Sequence, residues 1–170
     1  MNKTDSLLLK MIDYYSGDSK RIQHFIKVHS FAKLIGELEG LDSSTQYLLE
    51  TAAILHDVGI KSAEKQYGNC NGKLQEQMGP SLAKKFLNEL YYDTDVIERV
   101  CYLVGHHHTY TNIDGIDYQI LIESDFLVNI YEDSLGYAAV NAAFNNIFRT
   151  KSGKQICKSM FSSAFLCPEI

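Results

Sequence analysis

Residues 18–40, DSKRIQHFIKVHSFAKLIGELEG, carry both ends of one long helix. Asp18 stands as an N-cap before Ser19, and Gly40 offers a left-handed C-cap after Glu39. Between them His24, Val28, Phe31, Ile35 and Leu38 recur at steps of four, three, four and three, which predicts one inward-facing stripe. That stripe includes a histidine. A polar group on an apolar face is paired, ligated or buried at a cost, and taken alone His24 is most simply a hydrogen-bonded core residue.

The same three- and four-residue recurrence runs through most of the chain, which predicts an all-α fold of about six to eight helices. A first helix is expected over about residues 6–15. A third opens at Asp42, where Ser43 and Gln46 have capping-box spacing, and runs through YLLETAAILHD to Gly59. Residues 60–73, with two glycines and two asparagines, read as a surface loop. A fourth helix follows over about 74–90, with Gly79-Pro80 implying a late start or a kink. A fifth runs from Asp93-Thr94 into His106-His107-His108, a sixth spans about 117–132 and a seventh about 136–148. The tail after Gly153 reads as a short helix or an extended piece. The expected organisation is one domain over 1–170, with a core at 21–133 and an extension at 134–170.

Composition narrows the function. The chain has 170 residues, 45% hydrophobic and 22% charged, enough to bury a core without a structural metal. Its formal charge of −5 argues against polymeric nucleic acid as a partner, whereas a small phosphorylated molecule needs only one or two cations. Cys70, Cys101, Cys157 and Cys167 are widely spaced without a C-x-x-C pair, so free thiols and a cytoplasmic setting are expected. No apolar run is long enough for a membrane span.

Two further polar positions fall on apolar faces. Leu49, Ala52, Ala53 and His56 share a face of the third helix, with Asp57 about 100° further round. Asp57 in a last helical turn opposes the helix dipole and needs a positive partner. Tyr118, Leu121, Asp125 and Val128 line one side of the sixth helix, and a salt bridge or a bound cation satisfies that buried carboxylate equally well. One explanation for two imidazoles and two carboxylates facing inward is more economical than four. A mixed nitrogen and oxygen set suits Mn, Fe, Co, Ni or Zn better than Mg.

Arg21-x-x-His24-x-x-x-Val28, then ILHDVG at 54–59, a histidine run and IESDFL at 122–127 together resemble the HD-domain superfamily of metal-dependent phosphohydrolases. The order of these elements and their apolar flanks carry the likeness, which covers about residues 21–133. The resemblance implies a helical cleft in which His24, His56, Asp57 and Asp125 bind one divalent ion. Members with two ions add a histidine in the fourth helix, where this chain has Gln75. A second ion would draw on His106 and His107, expected near the site, with His108 outside and His29 structural. The branch that cleaves cyclic dinucleotides resembles H-H-E followed by G-x-G-Y-P, and HHHTYTNIDGIDY lacks both.

The implied reaction is hydrolysis of a small phosphorylated metabolite, a nucleotide or related phosphoester, by water activated at the metal. Asp57 is expected to orient that water, Arg21 and Lys61 to meet the developing charge, and His107 to donate a proton. Tyr67 or Tyr110 is the expected stacking partner of the substrate. The rival expectations are a metal- and nucleotide-binding regulator without turnover, a purely structural helical protein, and oxidative cleavage at two irons, which Gln75 argues against. A homodimer is compatible with the chain.

Overall fold

The computed structural model describes residues 2–165, so Cys167 lies outside the described residues. Every element of regular structure in that range is helical: α1 (Lys3–Tyr14), α2 (Ser19–Glu39), α3 (Ser43–Leu55), α4 (Ile60–Tyr67), α5 (Gly72–Glu89), α6 (Thr94–Val104), α7 (Ile116–Glu132), α8 (Tyr137–Asn146) and α9 (Lys151–Met160), with a closing 3-10 turn at Ser162–Phe165. The fold is all-α. Among the described residues no helix is long and apolar enough to cross a membrane.

α2 has the expected ends. Asp18 accepts from the Arg21 amide, and Gly40 holds φ 75°. Its buried face is turned from the expected stripe, toward Phe25, Ala32 and Gly36, and Leu38 is 61% exposed. The cause is a close helix crossing. A Cβ on Gly36 would meet Gln46 and Leu49 of α3, so small residues define the contact and His24 falls at its edge, facing α7. α2 packs against both α3 and α7, and α5 packs against α6.

Local chemistry moves several boundaries. Asn2 caps α1, three residues before the expected start. At α3 the cap is Asp42, which accepts from the Ser44 and Thr45 amides at 2.9 and 3.1 Å, whereas Gln46 donates to Glu50. α3 ends at Leu55, before the expected Gly59, and 56–59 form a turn pressed on α5, where a Cβ at Gly59 would stand 2.8 Å from the Gly79 nitrogen. The expected loop at 60–73 is mostly helix: Ile60 and Ala63 are buried against the body, which outweighs the polar composition of 61–67. α5 starts at Gly72 behind Asn71 and carries Pro80 in its interior.

The tail is a helix, α9. Glu123 of α7, fully buried, accepts from the Arg149 and Thr150 amides at 2.6 and 2.9 Å, from Gln119 at 2.7 Å, and from the Thr150 hydroxyl. Thr150 in turn caps α9. This anchor lies on the face of α7 away from Asp125, and no residue of α9 lines the cleft described below. Replacing Glu123 by Ala takes the acceptor from the Arg149 and Thr150 amides and the Thr150 hydroxyl, while Gln119 keeps the Ile147 carbonyl, so Glu123→Ala is expected to lose about 3 kcal/mol in urea unfolding and to speed proteolysis within 149–165. Unchanged stability would contradict the anchoring role.

Candidate metal centre

Four side chains from three helical segments meet in the interior. His24 comes from α2, His56 and Asp57 from the end of α3 and the turn after it, and Asp125 from α7. The His24 Nε2 lies 3.2 Å from His56 Nε2, 3.2 Å from Asp125 Oδ1 and 3.5 Å from Asp57 Oδ2. His56 Nε2 is 3.4 Å from Asp57 and 3.6 Å from Asp125. His107, from the turn after α6, adds its Nε2 at 3.4 Å from Asp57 Oδ1. Asp57 thus presents one oxygen to each side.

The outer ring nitrogens fix how the imidazoles face. His56 Nδ1 lies 2.8 Å from the Ala53 carbonyl and His107 Nδ1 lies 2.8 Å from the Val104 carbonyl. His24 Nδ1 lies 2.9 Å from the Glu132 carboxylate, which also accepts from Lys27. Carbonyl and carboxylate oxygens only accept, so each Nδ1 carries the proton and each neutral ring aims an Nε2 lone pair inward. Two such lone pairs 3.2 Å apart repel unless a cation or a proton stands between them. Among the described residues the buried His107 Nε2 has no hydrogen-bond partner. His24, His56 and Asp57 form one group of convergent ligand atoms that fits a divalent ion, with Asp125 beside both rings, and Asp57 with His107 and His108 forms a second group.

Electrostatics agree with the geometry. Burial opposes the charged form of His24 and His56, but Asp125 and Asp57 outweigh it and raise both. Burial would raise the Asp57 carboxyl, yet His56 and His107 hold it well below the usual carboxylate range. Asp125 is held low by His24 and His56 against its own burial.

The histidine run differs from expectation at two places. The turn after Val104 breaks the helical register, so His106 points away, its Nδ1 2.7 Å from the Tyr102 carbonyl and its ring stacked on Tyr102. His108, expected outside, lines the cleft, with Nε2 2.9 Å from Gln75 Oε1 while Gln75 donates to the Cys70 carbonyl. Burial and His107 lower the His108 pKa to about 4. His29 pairs with Glu50 at 3.2 Å between α2 and α3.

Of the two expected cations, Arg21 lines the cleft but is bound to Asp18 and Glu64. Lys61 turns away: its Nζ donates to the Tyr14 carbonyl at 2.7 Å and lies over the Tyr14 ring. Tyr67 and Tyr110 do not line the cleft either, since Tyr67 ends α4 and Tyr110 packs edge-on against Phe126.

Three participants escaped the sequence reading. Glu132 was accessible, being seven residues beyond Asp125 on the same helix face. Lys20 lines the cleft beside Arg21. Tyr15 had no local signal: its hydroxyl donates to the Asp57 carbonyl at 2.7 Å from across the chain.

A family model described as HD domain matches residues 21–139. A crystal structure of a predicted HD superfamily hydrolase from an uncultured Thermotogales bacterium superposes with a TM-score of 0.64 and 22% identity, over 94% of this chain and 84% of that one, a likeness of fold. No curated protein matches the sequence.

Two outcomes follow for the centre. Tyr15→Phe releases the turn that carries Asp57 and is expected to weaken Mn binding by about tenfold, measured by chelator competition, while circular dichroism stays unchanged. Because the ligating imidazoles must be neutral and their pKa values are raised, Mn affinity is expected to increase with pH across the imidazole range, with proton release detectable by calorimetry in two buffers. A flat pH dependence would contradict imidazole ligation.

Proposed function

The chain belongs to the HD domain family, and from that premise we propose that it is a metal-dependent phosphohydrolase acting on a small phosphorylated metabolite, a nucleotide or related phosphoester. The observation that supports this most is the inward convergence of three imidazole Nε2 atoms on two carboxylates, with each Nδ1 tied to an acceptor. His24, His56, Asp57 and Asp125 would hold the ion, and the donor set suits Mn, Fe, Co, Ni or Zn. A divalent ion held there supplies Lewis acidity toward a phosphoryl oxygen and lowers the pKa of water.

The chain's own groups divide the remaining work. Asp57 orients the attacking water, since its two oxygens face different sides of the centre. The water oxygen joins phosphorus while its proton passes to the His107 Nε2 lone pair, the ester bond breaks, and the leaving alkoxide takes up a proton to become the alcohol. His107, buried beside Asp57 with an unpartnered Nε2, is the group placed to return that proton. Arg21 supplies positive potential at the cleft wall but remains engaged by Asp18 and Glu64, and Lys61 takes no part. Glu132 fixes the His24 ring through Nδ1 and completes a carboxylate–histidine relay toward the ion.

Metal analysis of the purified chain, followed by phosphate release from nucleotides and simple phosphoesters with Mn, Co, Ni and Mg, tests the reading. His56→Ala and Asp57→Ala are each expected to abolish metal binding and turnover. Lys61→Ala is expected to keep both. Gln75, in place of a histidine, favours one alternative: bound metal with no turnover on a broad panel would make this a regulator.

A further inference from the structure

The cleft above the centre encloses about 500 Å³, the size of a pocket for a nucleotide or sugar ester. Its wall carries five carboxylates, Asp18, Asp57, Asp125, Glu132 and Asp133, against the two cations Lys20 and Arg21, a formal balance of −3. One divalent ion reduces that to −1, so the loaded cleft is not a polyanion trap. Arg21 would have to leave Asp18 at 2.8 Å or Glu64 at 2.5 Å to receive a second phosphate.

Most polar groups of the wall are already used. Glu132 holds Lys27 and His24, and Gln75 holds His108. Lys20, Asn129 and Asp133 make no ion pair and no side-chain hydrogen bond among the described residues, yet all three line the cleft. They come from the start of α2 and the end of α7, which pack side by side. Asn129 is one turn beyond Asp125, so it continues the line that leads outward from the centre.

Resting on the phosphohydrolase reading, we infer that Lys20, Asn129 and Asp133 select the alcohol part of a phosphomonoester, and that the substrate bears one phosphoryl group rather than a di- or triphosphate chain. An ammonium, an amide and a carboxylate form a nearly neutral set of donors and acceptors, suited to hydroxyls of a sugar or nucleoside. Each further phosphate would add roughly one or two negative charges beside Asp133 and Asp18, with a single uncommitted ammonium to meet them. Hydrolysis transfers the water oxygen to phosphorus and releases the protonated alcohol and inorganic phosphate, with no co-reactant.

The test uses the Mn-loaded full chain. Phosphate release is measured for one nucleoside as its 5′-mono-, di- and triphosphate and for sugar monophosphates. Binding of inorganic phosphate and of tripolyphosphate is measured by calorimetry at fixed free Mn. The monophosphate is expected to exceed the triphosphate in kcat/KM by about tenfold or more. Asp133→Asn is expected to narrow that ratio by about threefold, and Lys20→Ala to raise KM for the monophosphate with kcat within about twofold. A triphosphate hydrolysed as well as the monophosphate overturns the inference. So does tighter binding of tripolyphosphate than of phosphate, even in a chain that hydrolyses nothing, so the subsite is judged separately from the reaction.

Discussion

Two imidazole nitrogens held 3.2 Å apart, each with its opposite nitrogen committed as a donor, make the constraint on which the rest depends. Neutral, the rings present lone pair to lone pair. Protonated, they place positive charge in a buried site, where a charge pair at about 4 Å is worth roughly 4 kcal/mol at an effective dielectric of 20. Asp57 and Asp125 stand beside both rings, placed to meet positive charge there. A divalent ion between the two rings removes that repulsion and meets the carboxylates, while the unpartnered His107 nitrogen stands on the other side of Asp57.

The helices are arranged to hold that conflict in place. α3 is buried almost all round near its end, from Thr51 to Leu55, so His56 emerges from a fully buried stretch of the core. α7 is buried over most of its length, which fixes Asp125 toward the centre and Glu123 toward the tail. The turn at 56–59 is pinned from two sides, by the Tyr15 hydroxyl on the Asp57 carbonyl and by the close approach of Gly59 to Gly79. α1, which carries the chain into Tyr15, lies before the stretch matched by the family model and still braces the centre.

Helix periodicity made the all-α fold and the inward placement of His24, His56 and Asp125 legible, because each lies within or at the end of a regular helix. It failed where regularity ended. The turn after Val104 exchanged His106 for His108, since extrapolating a helical face past Gly105 assumes a register the chain no longer keeps. α4 was hidden because its polar composition resembles a loop and only Ile60 and Ala63 declare its buried side. Lys61 followed from position in a motif, whereas its direction is set by α1, a long-range contact with no local signature. Small residues misled as well: Gly36 and Ala32, rather than Phe31 and Leu38, mark the face of α2 that meets its neighbours.

Anomalous diffraction from crystals of the protein grown with Mn or Co is the most direct measurement of the central claim. The account predicts one dominant peak between His24 Nε2, His56 Nε2, Asp57 and Asp125, within about 2.0–2.3 Å of its nitrogen and oxygen ligands. A fully ordered centre with no peak there, or with the ion bound elsewhere and the two imidazoles bridged by a proton, would contradict it.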